Sequence, residues 1–538
     1  MKKFTFSILP VLLLTLASCM NMSSGSEGGS VRVVLPSSSR EVYSSGRSDV
    51  DSFTVRLLIG EKIIEEKSIT KESDDMGGVI VFDELEPATY TVEVEGWMSS
   101  KDVLLYFGTE DAKVTAGQDA SCQVTLKKDC QIYNISADAS EIKAACESSG
   151  NTYIFMDANS SVSTNHAPSA NDYQLTNITS GKKIIRGNGG KFAQSTASNN
   201  ALSTEGGQIK LFNVTGSSTV LEIDNLTFNA SGTVGPDSTV DGALICVSDG
   251  ATVILRQCLI SEISMKGNNA GVGISLIYVK SGGKLLLENC SFLNNTSNNG
   301  AATYTECIRI DNGANVEVVS CSFEDNGDGH TMSNAAAIGN DGVCRISSST
   351  FNENKAMRGG AILNDDNGIL EIEDSTFTGN ANNDSYGFYA KRGGAIFIQG
   401  GTVQIKNSAF TANVSCGDHD GSENATDADG TINFQKLGGG AISIKKGSLT
   451  LQNTRFENNS VTPNTTDPDE YSGYGGAILI EQSDASLFLK NAGGSAMDIQ
   501  SYIDAYMMSN STTTPGRGAN IYCNGGKING TVYTQAWD

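Results

Sequence analysis

Short runs in which every second residue is apolar dominate the chain from Val31 onward. Between Val31 and Lys128 they read "VRVVL", "FTVRLLI", "GVIVF", "TYTVEVEG" and "SCQVTLKK". A period of two sends alternate side chains to opposite faces, so each run predicts a half-buried strand. Together they predict a small antiparallel β-sandwich over residues 31–129. The period changes at "DASEIKAACESSG", Asp138 to Gly150. Asp138 with Glu141 three residues on forms a capping box, and Ile142, Ala145 and Cys146 make a narrow apolar stripe, which predicts a short helix. Followed by "TYIFMD" and "KKIIRGNGG", it reads as the plug of a stacked array, whose first coil would otherwise expose unpaired backbone and an open core.

Residues 130–538 read as that array. Large apolar anchors recur at Phe228, Ile260, Phe292, Phe323, Phe351, Phe377, Phe410 and Phe456, at intervals of 32, 32, 31, 28, 26, 33 and 46 residues. Upstream of most anchors lies an alternating pair of strands, as in "AISIKKGSLTLQN". There Ile442, Ile444, Leu449 and Leu451 are expected to face inward, with Lys445 and Lys446 in the turn. Three positions after the anchor stands Asn295, Asn326, Asn354, Asn380, Asn413 or Asn459. Coils stack at about 4.8 Å, so equivalent side chains form columns: phenylalanines on an interior edge, and asparagines that bond amide to amide and tolerate a left-handed corner. Cys258, Cys290 and Cys321 share the position two before the anchor and read as a stack of buried thiols rather than disulfides.

Gly-Gly-Ala-Ile occurs at Gly359-Gly360-Ala361-Ile362, Gly393-Gly394-Ala395-Ile396, Gly439-Gly440-Ala441-Ile442 and Gly475-Gly476-Ala477-Ile478. From the first glycine to the anchor is 18, 17 and 17 residues in the three complete cases, whereas 4, 12, 25 and 15 residues separate the asparagine from the next Gly-Gly. Insertions therefore fall at one corner and are expected to line one edge of the stack. Without the lysine and helix that phosphate binding needs, the glycines read as that corner and not as a site.

The two motifs together, clearest over residues 242–492, resemble the chlamydial polymorphic outer-membrane protein repeat. The resemblance implies a right-handed parallel β-helix displayed on the cell surface and associated with adhesion to host cells. Likewise "VFDELEPATYTVEVEGW", Val81 to Trp97, resembles the Ig-like or prealbumin-like modules of bacterial surface proteins. Members of the repeat family carry a C-terminal autotransporter barrel. Only 46 residues follow Ala492, too few for many strands of about ten residues each, so a different anchor is expected.

The N-terminus supplies one. Met1-Lys2-Lys3 precedes an apolar run from Ile8 to Leu16 and then "LASC". This resembles a bacterial lipoprotein signal, which implies cleavage of residues 1–18 and lipid on Cys19, followed by a Ser/Gly tether over 19–30. Outer-membrane attachment is expected to be by lipid, at the cell surface or on the periplasmic face. A net charge of −24 argues against nucleic acid as a partner, and the resemblance to the repeat family implies a host-cell protein or glycan.

Candidate chemistry is thin. A β-helix enzyme acting on polysaccharide needs paired carboxylates, or a calcium cluster with a basic residue. Asp365-Asp366 in "NDDNG" falls in a turn whose counterparts are Gln399-Gly400 and Lys445-Lys446, and reads as turn residues. Asp325 and Asp328 lie beside His330. "CGDHDGSENATDADG", residues 416–430, carries Asp418, Asp420, Glu423, Asp427 and Asp429, oxygen ligands suited to Ca²⁺, although without EF-hand spacing. His166, His330 and His419 show no metal spacing, no C-x-x-C pair occurs, and neither a Gly-x-Ser-x-Gly elbow nor a P-loop is present. The expectation is a non-enzymatic adhesin or binding scaffold without a cofactor, working through its loop edge. The alternative is a polysaccharide lyase or glycoside hydrolase. Three or more acidic residues converging with an Arg or Lys in a groove on one sheet would favour it.

Overall fold

A computed structural model describes residues 28–35, 52–70, 78–98, 103–126, 131–135, 138–163, 176–194, 211–230, 233–234, 244–265, 275–297, 306–327, 335–356, 358–381, 392–416, 425–426, 432–433, 438–462, 473–512 and 518–538. They fall into two compact units, with Glu95–Phe107 counted in the second.

The first unit holds seven strands. Val79–Leu85, Gly29–Val34 and Asp119–Gln123 form one sheet; Lys62–Thr70, Ser52–Ile59, Thr89–Met98 and Val103–Lys113 form the other. The sheets are not wholly antiparallel, since Gly29–Val34 runs parallel to Asp119–Gln123. Two strands escaped the sequence reading. Lys62–Thr70 is charged and buries no residue, and only its pairing with Ser52–Ile59 reveals it. Val31, Val33, Phe53, Val55, Leu57, Phe82, Val92 and Val94 are buried, and the Tyr90 hydroxyl donates to the Glu86 carbonyl oxygen at 2.9 Å, pinning the turn that carries Pro87.

The second unit is a parallel β-helix. Each coil contributes one strand to each of three parallel sheets. The first sheet runs from Thr176–Ile178 to Ile521–Ile528, the second from Thr152–Met156 to Ala485–Lys490, and the third from Ser161–Ser163 to Met507–Met508. The first and third each stack eleven strands; the second also takes on Gln131–Ile135, parallel to Thr152–Met156, which makes twelve.

The predicted columns exist. Phe292, Phe323, Phe351, Phe377, Phe410 and Phe456 stack with ring centroids 4.6, 4.8, 4.6, 4.6 and 5.0 Å apart, all fully buried. Asn295, Asn326, Asn354, Asn380, Asn413 and Asn459 each donate to the next asparagine's Oδ1 at 2.9 or 3.0 Å, and the ladder runs one rung further, to Asn510. Their backbone corrects one expectation. The left-handed corner residue is the one before each ladder asparagine (Asn294, Asp325, Glu353, Gly379, Ala412, Asn458), which frees the asparagine to turn inward. Cys258, Cys290 and Cys321 are buried free thiols, and their column continues as Ser349, Ser375 and Ser408, each hydroxyl accepting from the backbone N–H one coil below.

The glycine pairs are a corner, as read. Gly439 adopts φ +71°, a conformation that costs any residue with a Cβ about 1–2 kcal/mol. Gly440 has ordinary φ, but a Cβ there would fall onto the Gly476 carbonyl oxygen of the next coil. Gly359-Gly360, Gly393-Gly394 and Gly475-Gly476 repeat the arrangement.

The first sheet departs from hydrophobic-in, polar-out. Its strands Ile362–Asn364, Ile396–Ile398, Ile442–Ile444 and Ile478–Ile480 are buried on both faces: Leu363, Phe397, Ser443 and Leu479 point away from the interior yet are 1% exposed or less.

Both ends of the stack are capped by helices. In α1 (Ala139–Glu147), Asp138 accepts from the Ser140 and Glu141 N–H groups, while Ile142, Ala145 and Cys146 enter the core. Lys183 is fully buried beneath it, and its ammonium donates to the Ser148 carbonyl oxygen at 2.6 Å and to that of Gly150. A cation there complements the carbonyl end of the helix. At the far end, α2 (Ile499–Tyr506) packs Tyr502 against the last coils through a hydroxyl bond to the Thr454 carbonyl oxygen. A closing hairpin pairs Ile521–Ile528 antiparallel with Thr531–Trp537.

Candidate functional site

Outward side chains of the second sheet form two columns, because strands in register place equivalent residues one above another. One column is Tyr153, Ile184, Glu222, Ile254, Leu286, Glu317, Arg345, Glu371, Gln404, Thr450 and Phe488. Beside it run Phe155, Arg186, Asp224, Arg256, Glu288, Val319, Ser347, Glu373, Lys406, Gln452 and Lys490.

The first half of this face is closed. Trp97 lies edge-on to Phe155 at 5.2 Å, and Phe107 packs on Tyr153 at 4.5 Å. Next to them runs a buried ionic chain: Arg186 bridges Glu95 at 2.8 Å and Glu222 at 2.7 Å, while Arg256 bridges Glu222 at 2.7 Å and Glu288 at 2.6 Å. Against the opposing effect of burial, Arg186, Lys182 and Arg256 together hold the Glu222 carboxyl well below the usual range.

The second half is open. Glu317, Arg345, Ser347, Glu371, Glu373, Gln404, Lys406, Thr450, Gln452 and Lys490 line a groove of about 330 Å³. Arg345 pairs with Glu371 at 2.8 Å, and Lys406 pairs with Glu373. These pairs are about half exposed, so water screens them and they are readily exchanged for a ligand. Phe488, 38% exposed, continues the column past Thr450.

A different charged cluster sits on the outer face of the first sheet, where the sequence suggested only a turn. Asp365 opens that turn, its carbonyl oxygen accepting from the Gly368 N–H at 3.0 Å, and its side chain reaches further. It accepts from Arg309, two coils away, at 3.1 Å, and from Gln399 at 3.3 Å. Arg309 also lies 3.8 Å from Glu306 and 3.9 Å from Asp311, whose carboxylate accepts from the Tyr278 hydroxyl at 2.9 Å. Burial is the largest influence on Glu306, which is fully enclosed, and raises its carboxyl to about 7. Asp365 is also raised, first by burial, against the lowering effect of Arg309. Gly339 makes room, since a side chain there would strike both the Glu306 carboxyl and the Arg309 guanidinium.

The cluster therefore brings together three carboxylates and one cation, and the groove three carboxylates and three cations. Access separates them: Glu306 reaches no solvent, whereas the groove is open along its length. Outward positions of the second strand are legible as polar alternations in the sequence, but which of them would be uncovered is not.

Other sequence candidates take plainer places. The glycine, phenylalanine and asparagine motifs are the frame of the coil. Asp325 occupies a left-handed corner and lies 3.5 Å from Lys355. Cys19, Asp328, the three histidines and the acidic side chains of the 416–430 loop fall outside the described residues. Among the described residues, no three His, Cys, Asp or Glu are placed to hold a metal, and no helix is long and apolar enough to cross a membrane.

Residues 210–410 match the family model described as the right handed beta helix region. The parallel stack is thus a right-handed β-helix. No curated protein matches the chain. Among solved structures, the crystal structure of the Agl-KA catalytic domain aligns at 12% identity over 86% of this chain and 88% of that one. Its TM-score is 0.22, and a superposition that loose carries no argument about activity.

Proposed function

We propose that this chain is a lipid-anchored binding scaffold of the bacterial cell envelope, an adhesin that holds an extended ligand along the open half of its second sheet. One observation carries the reading: the groove from Glu317 to Lys490 presents polar side chains in register over six successive coils. At strand spacing that is about 24 Å of recurring donors and acceptors, a length that suits a polymer better than a small molecule. The groove belongs to rigid strands, so its donors are ordered before a ligand arrives and little entropy is lost on binding. Cys19 would hold the protein to the membrane through lipid, with the Ser/Gly tether as spacer.

The test is binding of the purified soluble chain to host cells and to a glycan array, beside an Arg345→Trp variant that blocks the groove. Equal binding by both proteins rules out the groove. A Cys19→Ser variant should leave the membrane fraction; unchanged sedimentation with membranes would reject the lipid anchor.

A second reading, cleavage of a polysaccharide, meets the condition of three carboxylates beside a cation in a groove through Glu317, Glu371, Glu373 and Arg345. It ranks second because Glu371 and Glu373 are held in ion pairs with Arg345 and Lys406 rather than facing each other across a scissile bond. Reducing ends released from a bound polysaccharide, and lost in Glu317→Gln, would establish it.

A further inference from the structure

We propose that the ligand of the second-sheet groove is a neutral, hydroxyl-rich polysaccharide, laid across the strands and stacked at one end on Phe488; this rests on the binding-scaffold reading. Charge is the first argument. The groove carries Glu317, Glu371 and Glu373 against Arg345, Lys406 and Lys490. Its net charge is therefore zero, and its signs are interleaved. Along one column Glu317, Arg345 and Glu371 alternate on successive coils, and along the other Glu373 is followed by Lys406. A polyanion laid there would meet a carboxylate within one strand spacing of Arg345 and of Lys406, though not of Lys490, and a polycation would meet a cation within one strand spacing of all three carboxylates. The chain's net charge of −24 adds a long-range penalty for any polyanion.

The remaining lining points the same way. Ser347, Gln404, Thr450 and Gln452 supply hydroxyls and amides, which both donate and accept, as sugar hydroxyls do. Carboxylates and guanidinium groups bind hydroxyl pairs equally well when their own exposed ion pairs open, at small cost. Phe488 is the second, independent observation. An exposed aromatic ring at the end of a polar column, directly above Thr450, is a platform for the apolar C–H face of a sugar ring. A polypeptide ligand would leave such a charge-balanced floor without a hydrophobic anchor apart from that one ring.

The experiment is affinity electrophoresis of the soluble chain in gels carrying either neutral polysaccharides (a β-glucan, a mannan, a galactan) or polygalacturonate. Expected is retardation in at least one neutral gel, unchanged when salt is raised to about 1 M, where exposed charges are screened. Phe488→Ala should weaken that retardation about tenfold. The Glu371→Gln, Glu373→Gln double variant should acquire retardation by polygalacturonate, since it leaves three cations facing one carboxylate. Retardation of the native chain by polygalacturonate alone, abolished by salt, would overturn the neutral assignment while leaving the scaffold standing. No retardation in any gel, with cell binding that Arg345→Trp removes, would overturn the polysaccharide and point to a protein ligand. Cell binding indifferent to Arg345→Trp would instead sink the groove itself.

Discussion

The Asn413 amide donates to Asn459 Oδ1 and to the Phe377 carbonyl oxygen, both at 2.9 Å, while its own Oδ1 accepts from the Asn380 backbone at 3.0 Å and from the Asn380 amide at 2.9 Å. One buried side chain thus ties three successive coils. Replacing it with alanine strands the Phe377 carbonyl oxygen and the Asn380 donors in a fully buried site. Leaving buried groups unpaired costs about 1–3 kcal/mol each, so Asn413→Ala should lower stability by at least about 3 kcal/mol. Urea denaturation checks this; a change under about 1 kcal/mol would show that the ladder is dispensable.

At the glycine corner the expected contrast is steric. Gly440→Ala should destabilise strongly, because its methyl would displace the Gly476 carbonyl oxygen and with it the stacking of two coils. Gly530, unlike Gly440, has positive φ, but a Cβ there would meet nothing within 4 Å, so Gly530→Ala should cost only the conformational term of about 1–2 kcal/mol. Thermal midpoints of the two variants measure the difference, and equal midpoints would refute the close-packing account.

Glu306 makes stability depend on pH. Its folded carboxyl is pushed up to about 7 from an ordinary 4.5, because burial disfavours the charge more than Arg309 restores it. With the folded value above the unfolded one, its contribution is complete below about pH 4.5 and is lost as pH rises through 7. The expected loss is about 3 kcal/mol between these limits. Asp365 is shifted in the same direction and adds to it. Glu306→Gln should flatten most of this slope and be the more stable protein at pH 8. A slope unchanged by Glu306→Gln would place the titration elsewhere.

Burial pushes the thiols of Cys146 and Cys344 up to about 12 and raises Cys290 well above its usual range. The thiolate is the reactive form, so these cysteines should resist iodoacetamide in the folded protein and react once it is denatured. Mass spectrometry of peptides labelled before and after unfolding reads the result; rapid native labelling of Cys290 would contradict the buried column.

Lys183 should prove necessary to the N-terminal plug. Lys183→Met keeps much of the volume but abandons the Ser148 and Gly150 carbonyl oxygens under α1. Hydrogen exchange should then quicken in Ala139–Glu147 while the Asn295–Asn459 ladder stays protected. Uniform exchange across both would show that the cap and the stack unfold as one.

The coil was legible in the sequence because a stacked repeat turns one-dimensional spacing into vertical columns. Phe-x-x-Asn at near-constant distance from Gly-Gly determined which residues meet, and with them the interior, the corner and the number of coils. The N-terminal cap was readable too, α1 from Asp138 and its stripe of Ile142, Ala145 and Cys146, whereas α2 was not. What lies outside the coil was not. Period-two alternation says that Glu317, Glu371 and Leu363 point outward, but it does not say that Leu363 is buried while Glu371 is open. Only the tertiary structure brought Asp365 to Arg309 across two coils and closed the first half of the second sheet with Trp97 and Phe107. The reason is physical: contacts within the stack repeat with the sequence and are fixed by the strand spacing. What covers a face, and which charges meet there, depends on segments that break the repeat, and no local pattern encodes where those fold back.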